Sequence, residues 1–287
     1  MRFCKRCTIS NQRPSSTREY DHTAESKKET IHFDAEGVCD ACRVAEAKQS
    51  TDWAARSAEL GILCDHWRSK SGAFDCIVPG SGGKDSFYAA HVLKHKFGMH
   101  PLTVTWRPHV YTDWGRRNHD RWLEAGFSNL LYTPDPRIHR LLTRLAVDTL
   151  FHPFQPFIIG QKSLAPKLAA LYGIPLVFYG ESESEYGNAR ASNGTPLRES
   201  AFHAGHQNQI SLGGVSTDAL RSRYGLTDAD LEPYMPASAE ALERARVEVH
   251  YLGYYLKWHP QSAYYYAVEH GGFEAAPERT PGTYSKY

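Results

Sequence analysis

The run Ser81-Gly82-Gly83-Lys84-Asp85-Ser86 constrains this chain more than any other feature, because of what stands on either side of it. Before it, Phe74-Asp75-Cys76-Ile77-Val78 reads as a short apolar strand; after it, a helix is predicted from about residue 85 to 97, stopped by Gly98. A glycine-rich turn between strand and helix places unpaired backbone N–H groups and the positive end of a helix dipole at the strand's carboxyl end. Gly82 and Gly83 let the backbone pass close around an anion, Lys84 adds positive charge, and the hydroxyls of Ser81 and Ser86 add donors. These residue types in this order make a phosphate cradle. The spacing matches neither the Walker A loop nor the dinucleotide-binding G-x-G-x-x-G.

The same alternation continues downstream. Strands are predicted over 102–106, 129–132 and 174–179, with a polar helix around 114–125. Asp135 reads as an N-cap with Pro136 at the first helical position and Ile138, Leu141, Leu142 and Leu145 on one face, the helix ending near His152. After a loop over 154–160, a helix over 162–172 closes at Gly173. Alternating strands and helices predict an α/β fold around a parallel sheet. Glu181 and Glu185 follow the last strand, at the carboxyl edge where open α/β sheets place their ligands. Past residue 191 the regularity falls away, with turns at Asn193-Gly194-Thr195-Pro196 and Leu212-Gly213-Gly214-Val215, and no internal repeat is found.

A chain of 287 residues with 41% hydrophobic and 23% charged residues has room for a real core, and its composition is neither disordered nor collagen-like. No apolar run is long enough for a membrane helix, so no membrane insertion is expected. With 33 Lys and Arg against 32 Asp and Glu, a dedicated nucleic-acid binder is disfavoured. The polar start, without an apolar signal region, predicts a cytoplasmic protein.

Residues 1–50 are poor in aliphatics and carry four of the six cysteines, as Cys4-x-x-Cys7 and Cys39-x-x-Cys42. Two such knuckles can place four thiolates around one ion, with zinc the first choice over an iron–sulfur cluster, and a closed four-thiolate set has a folding role. Cys64 and Cys76 stand alone, Cys76 within an apolar strand. An apolar spacing (Trp53, Leu60, Leu63, Trp67) predicts a helix from Trp53 to about Lys70 that links this piece to the body.

The S-G-G-x-D-S form resembles the PP-loop of the ATP pyrophosphatases, which split ATP between its α- and β-phosphates. Adding the two cysteine pairs, Gln161-Lys162, Tyr179-Gly180-Glu181, Glu185-Tyr186-Gly187-Asn188 and Tyr251-Leu252-Gly253-Tyr254-Tyr255-Leu256-Lys257-Trp258, nearly the whole chain is similar to the N-acetyl sugar amidotransferase family of bacterial surface polysaccharide (lipopolysaccharide, O-antigen) synthesis. The resemblance implies a PP-loop domain over 51–200, resembling the adenine nucleotide alpha hydrolases, a zinc-binding segment over 1–50 and a substrate or partner region over 201–287. Family members continue past a segment like 283–287, so it also implies a further C-terminal part. It implies ATP and Mg²⁺, a UDP-linked acetamido sugar as substrate, and ammonia from a separate glutaminase subunit with a cyclase-like companion.

By the same resemblance Ser81, Gly82, Gly83, Lys84, Asp85 and Ser86 would bind the phosphates, and Thr105 and Trp106 would wall the adenine. Lys84, Asp85, Lys162, Glu181 and Glu185 are the candidate catalytic residues, with Asn188 and Lys257 as weaker candidates. His91 and His95, His203 and His206, and the tyrosine-rich tail read as packing. Competing readings are a tRNA-modifying adenylating enzyme, which would need a basic face and a catalytic cysteine, and a non-catalytic nucleotide-binding scaffold.

Overall fold

Cys76, Ile77 and Val78 are shut off from solvent on both sides, which puts strand β1 (Cys76–Pro79) in the middle of a sheet. The computed structural model describes residues 1–14, 18–27, 29–182, 185, 194–200, 203–204 and 210–278. Its central sheet adds β2 (Pro101–Trp106), β3 (Ser128–Tyr132), β4 (Leu176–Tyr179) and a late strand, Glu248–Tyr251, in the order β3-β2-β1-β4-late strand, every pair parallel. The expected α/β architecture is therefore present.

Register sorts the side chains onto two faces. Val78 and Phe178 point to one, with helices α2 (Trp53–Trp67) and α3 (Lys84–His95) and the fully buried Trp122 of α4 (Asp113–Glu124). Ile77, Val104, Trp106, Val177 and Val249 point to the other, under α5 (Pro136–Leu150) and α6 (Gln155–Tyr172). Asp135 caps α5 as its sequence predicts, its side chain accepting from the Arg137 amide.

Helix α6 begins seven residues before the predicted 162, because Pro156 is an acceptable first-turn residue rather than a loop signal. Gly160, inside that helix, has a packing reason: a Cβ there would lie 2.3 Å from the Trp106 indole.

The region beyond 210 is more regular than its sequence suggests. A hairpin of β5 (Ser211–Leu212) and β6 (Val215–Ser216) leads into α7 (Thr217–Tyr224), α8 (Asp228–Leu231) and α9 (Ala239–Arg244). The late strand, now β7 (Glu248–Tyr251), follows, then α10 (Leu252–Tyr255) and α11 (Pro260–Gly271). Strand β7 lies in the 201–287 span yet pairs with β4 of the main sheet, and α11 packs along α3.

Among the described residues, the N-terminal segment has a small core of its own, with Cys4, Ile31, Val38 and Cys39 buried and Ile9 and Phe33 packed against them. Its helix α1 (Asp40–Ala47) has Cys39 as its N-cap, and the stretch around Glu19 and Tyr20 is stapled to the body. The buried Gln155 side chain donates to the carbonyls of Glu19 and Ser211 and accepts from the Gly213 amide. Tyr20, also buried, donates to the Tyr234 carbonyl. No helix among the described residues is long and apolar enough to cross a membrane.

Burial pushes the Glu19 carboxyl up, but His152 and His22, each 3.6 Å away, more than offset this and hold it well below its ordinary 4.5. A carboxylate lowered in this way stabilises the fold above about pH 4.5, and that stabilisation is lost as the pH falls toward the folded value. Glu19→Gln should lower stability at pH 7 by about 1–3 kcal/mol and shrink the difference between urea midpoints at pH 7 and pH 3. An equal loss at both pH values would count against this role.

Candidate active site

The loop after β1 turns on Gly82, whose φ of +81° is one that glycine adopts freely. Space forbids a side chain as well: a Cβ on Gly82 would lie 2.6 Å from the His119 Cα and 2.9 Å from its amide nitrogen, both main-chain atoms of α4. Gly83 is different. Its φ is ordinary, it is the N-cap of α3, and its missing Cβ faces open space. No side chain caps α3, so its first N–H groups point outward with the dipole behind them. Lys84 is buried at the helix start with its ammonium on Asp85 Oδ2, while Asp85 Oδ1 is buried without a hydrogen-bond partner.

This loop opens into a cavity of about 430 Å³ at the carboxyl edge of β1, β2, β4 and β7. Ser81, Gly83, Asp85 and Ser86 line one side. Val104 and Trp106 of β2 line another, with Gln161 and Lys162 of α6 opposite. Glu181 follows β4 into the same space. The cradle, the unpartnered Asp85 oxygen and the carboxylate of Glu181 are a donor set that suits a nucleotide phosphate with Mg²⁺.

Arg198 and Tyr251 also line the cavity; Tyr251 opens the aromatic block of the sequence, whereas Arg198 stands in no motif. Arg198 is brought in by its amide bonding to the Val249 carbonyl, and its buried guanidinium lies over the Tyr179 ring, 4.4 Å from the centroid. Tyr179 in turn donates to the carbonyls of Gln161 and Lys162. Only the tertiary course of the chain could have found Arg198.

Other sequence candidates fall elsewhere. Thr105 is fully buried on the opposite face of β2, where its hydroxyl accepts from Asn129, so of the expected adenine wall only Trp106 reaches the cavity. Alternation along a strand sends neighbours to opposite faces, which is why both could not. Glu185 is separated from Glu181: it lies in an adjoining pocket of about 120 Å³, 2.9 Å from Lys48 Nζ, and Lys48 also donates to the Trp258 carbonyl. Burial raises the Glu185 carboxyl above its ordinary value despite Lys48. Lys257 is exposed and lines neither space. Gly187, Asn188 and His206 lie outside the described residues.

Cys4, Cys7, Cys39 and Cys42 converge, with all four sulfurs within 4.8 Å of one another. Cys4 and Cys42 are 3.9 Å apart and Cys7 and Cys39 3.6 Å. Tetrahedral zinc with Zn–S bonds of about 2.3 Å spaces its sulfurs about 3.8 Å apart, so the cluster could hold zinc. The amides of Arg6 and Cys39 donate to Cys4 Sγ at 3.4 and 3.3 Å. Burial pushes the Cys4 thiol up, but these amides more than offset it and bring it to about 6; burial and the neighbouring thiols push Cys42 to about 12. Cys64 and Cys76 are wholly buried, and burial raises both thiols.

No known protein family profile matches the chain. An uncharacterized protein of Methanocaldococcus jannaschii is 31% identical over 83 residues, a match that spans 29% of this chain and 29% of that protein. Among solved structures, the NAD+ synthetase of Burkholderia pseudomallei is similar at 16% identity and a TM-score of 0.33, over 83% of this chain and 97% of that one.

Two glycines one position apart should behave differently. Gly82→Ala should destabilise the protein by about 1–3 kcal/mol, read by thermal unfolding, whereas Gly83→Ala should fold normally and lose nucleotide binding in a calorimetric titration with ATP. Equal melting losses would refute the distinction. At the cysteine cluster, the wild type should carry about one zinc ion per chain by elemental analysis, and Cys4→Ser should lose it. Full zinc retention in that variant would exclude the four-thiolate site.

Proposed function

We propose that this protein is an ATP-dependent amidotransferase: it adenylates the acetamido oxygen of a nucleotide-linked N-acetyl sugar and replaces that oxygen with ammonia-derived nitrogen. The products are an acetamidino sugar, AMP and pyrophosphate. One observation carries the reading: the uncapped N-terminus of α3, turned by Gly82, opens into the same cavity as Lys162, Glu181 and Arg198. That combination is a phosphate cradle with cations and a carboxylate placed beyond it, where a second reactant can sit.

The chemistry asks for those parts. An amide carbon is a poor electrophile, so its oxygen first attacks the α-phosphorus and the bond to pyrophosphate breaks. Ammonia then adds to the activated carbon, AMP departs with the former carbonyl oxygen, and the new nitrogen gives up a proton. In this reading the N–H groups of α3 with Ser81, Ser86 and Lys84 hold the β- and γ-phosphates. Lys162 and Arg198 offset charge as the α-phosphate is attacked, and Glu181 takes the proton. Asp85, through its unpartnered Oδ1, would hold Mg²⁺, which would screen the charge of the triphosphate. Trp106, with Gly160 flat against it, offers an apolar wall for the adenine.

Glu185 acts through Lys48 as a tie between the metal-binding segment and the rim of the site. No cysteine lines the cavity among the described residues, which fits ammonia arriving from a separate glutaminase subunit with a cyclase-like companion and disfavours a thiolase. The substrates of such a reaction place the protein in the cytoplasm.

Incubation with ATP, ammonium and a panel of UDP-linked acetamido sugars should release AMP and pyrophosphate in equal amounts, and one sugar should change mass by the difference between O and NH. Lys84→Ala and Asp85→Ala should each lower pyrophosphate release about 100-fold or more with unchanged far-UV circular dichroism. Bound ATP without AMP formation on any acetamido sugar would refute the amidotransferase and favour the scaffold.

A further inference from the structure

A second cavity of about 400 Å³ lies at the same edge of the sheet, past the ends of β2 and β3 and the start of α5. Its size falls in the ordinary range for small-molecule sites. Arg107 leaves β2 directly after Trp106, and Arg140 stands one turn into α5; both side chains line the cavity and are exposed. Thr133 and Thr143 add hydroxyls, and the remaining wall is His109, His139 and three prolines. Not one carboxylate lines it among the described residues, and neither guanidinium there has an ion-pair partner. Asp135, which caps α5, is taken by the Arg137 guanidinium and amide.

The two imidazoles are spent on each other. Tyr234 hydroxyl meets His139 Nδ1 at 2.8 Å, His139 Nε2 meets His109 Nδ1 at 3.0 Å, and His109 bonds the Pro153 carbonyl. Burial lowers both, His139 to about 4, so they are neutral at pH 7 and the two guanidiniums carry the charge. Guanidinium pairs without a fixed counter-charge are the fork-shaped donors that phosphate oxygens match. The cavity also adjoins the first: the Trp106 ring, which walls one, lies 6.2 Å from the His139 ring, which walls the other.

We propose that Arg107 and Arg140 form a second anion site that takes the diphosphate of the nucleotide-linked substrate, on the far side of Trp106 from the ATP cavity. This rests on the substrate class proposed above. The prolines hold the shelf rigid, and the neutral histidine pair leaves recognition to the guanidiniums.

The test is calorimetric titration of UDP and, separately, inorganic phosphate into the full chain, with a non-hydrolysable ATP analogue present to fill the first cavity. UDP should bind more tightly than phosphate. Arg107→Ala and Arg140→Ala should each weaken UDP about 10-fold or more, Arg107→Lys by less, and the affinity for the ATP analogue should stay constant. UDP affinity unchanged in the double alanine variant would overturn the assignment, as would phosphate binding as tightly as UDP, or parallel loss of the ATP analogue. Turnover separates this from the parent reading. Arginine-dependent UDP binding with no sugar modified would remove the amidotransferase and leave the site; turnover with a KM for the UDP-sugar indifferent to both arginines would remove the site and leave the amidotransferase.

Discussion

The rest of the structure hangs on main-chain contact between the β1–α3 loop and α4. Gly82 is pressed against the backbone of His119, and backbone atoms, unlike side chains, cannot swing away. Helix α4 is itself fixed by Trp122, whose ring is fully buried in the core and would stand 3.1 Å from a Cβ on Gly80. The sheet, the loop and the neighbouring crossover therefore set one another's positions. The consequence is an open helix N-terminus whose position is set by packing, so the phosphate proposed to bind there would require no reorganisation of the loop.

Charge is distributed with the same economy. The chain as a whole is nearly neutral, at +1, and so is the lining of the first cavity, where Lys162 and Arg198 stand with Asp85 and Glu181, whereas Arg107 and Arg140 line its neighbour without a carboxylate among the described residues. Along the carboxyl edge of the sheet the excess of positive lining charge is thus confined to the second cavity, on a molecule without a global excess, an arrangement that suits small multiply charged ligands better than a polyanion.

Much of this is legible in the sequence where local physics decides. Strands 102–106 and 129–132, the Asp135 cap and the Gly173 stop all depend on neighbours within a turn or two, and the structure places them within a residue or so of the reading. The cysteine pairs likewise announce their convergence. What is illegible depends on distant partners. Strand β7 is four residues long and acquires its place only through register with β4, so its sequence alone looks like a fragment of an aromatic block. The start of α6 hides behind Pro156 and Gly160, the latter intelligible only once Trp106 is seen against it. Glu181 and Glu185 are close in sequence but line different spaces, Glu185 being paired with Lys48. Arg198 is positioned by the pairing of its stretch with β7, through the Arg198 amide on the Val249 carbonyl and the Tyr251 amide on the Pro196 carbonyl, and has no local signature at all.

The place of β7 in the sheet bears on how the molecule comes into being. Synthesis runs from the N-terminus, and β1, β2, β3 and β4 are all complete before residue 180, while their fifth partner arrives some seventy residues later. Until then β4 presents an open edge, the kind of surface on which nascent chains pair wrongly. Two residues of the cavity wall, Tyr251 and Arg198, wait on the same event, one belonging to β7 and the other tethered to it. A growing chain thus carries its glycine-rich loop long before it can close the pocket around it, so that ligand capture by the loop and completion of the pocket are separate events in its synthesis.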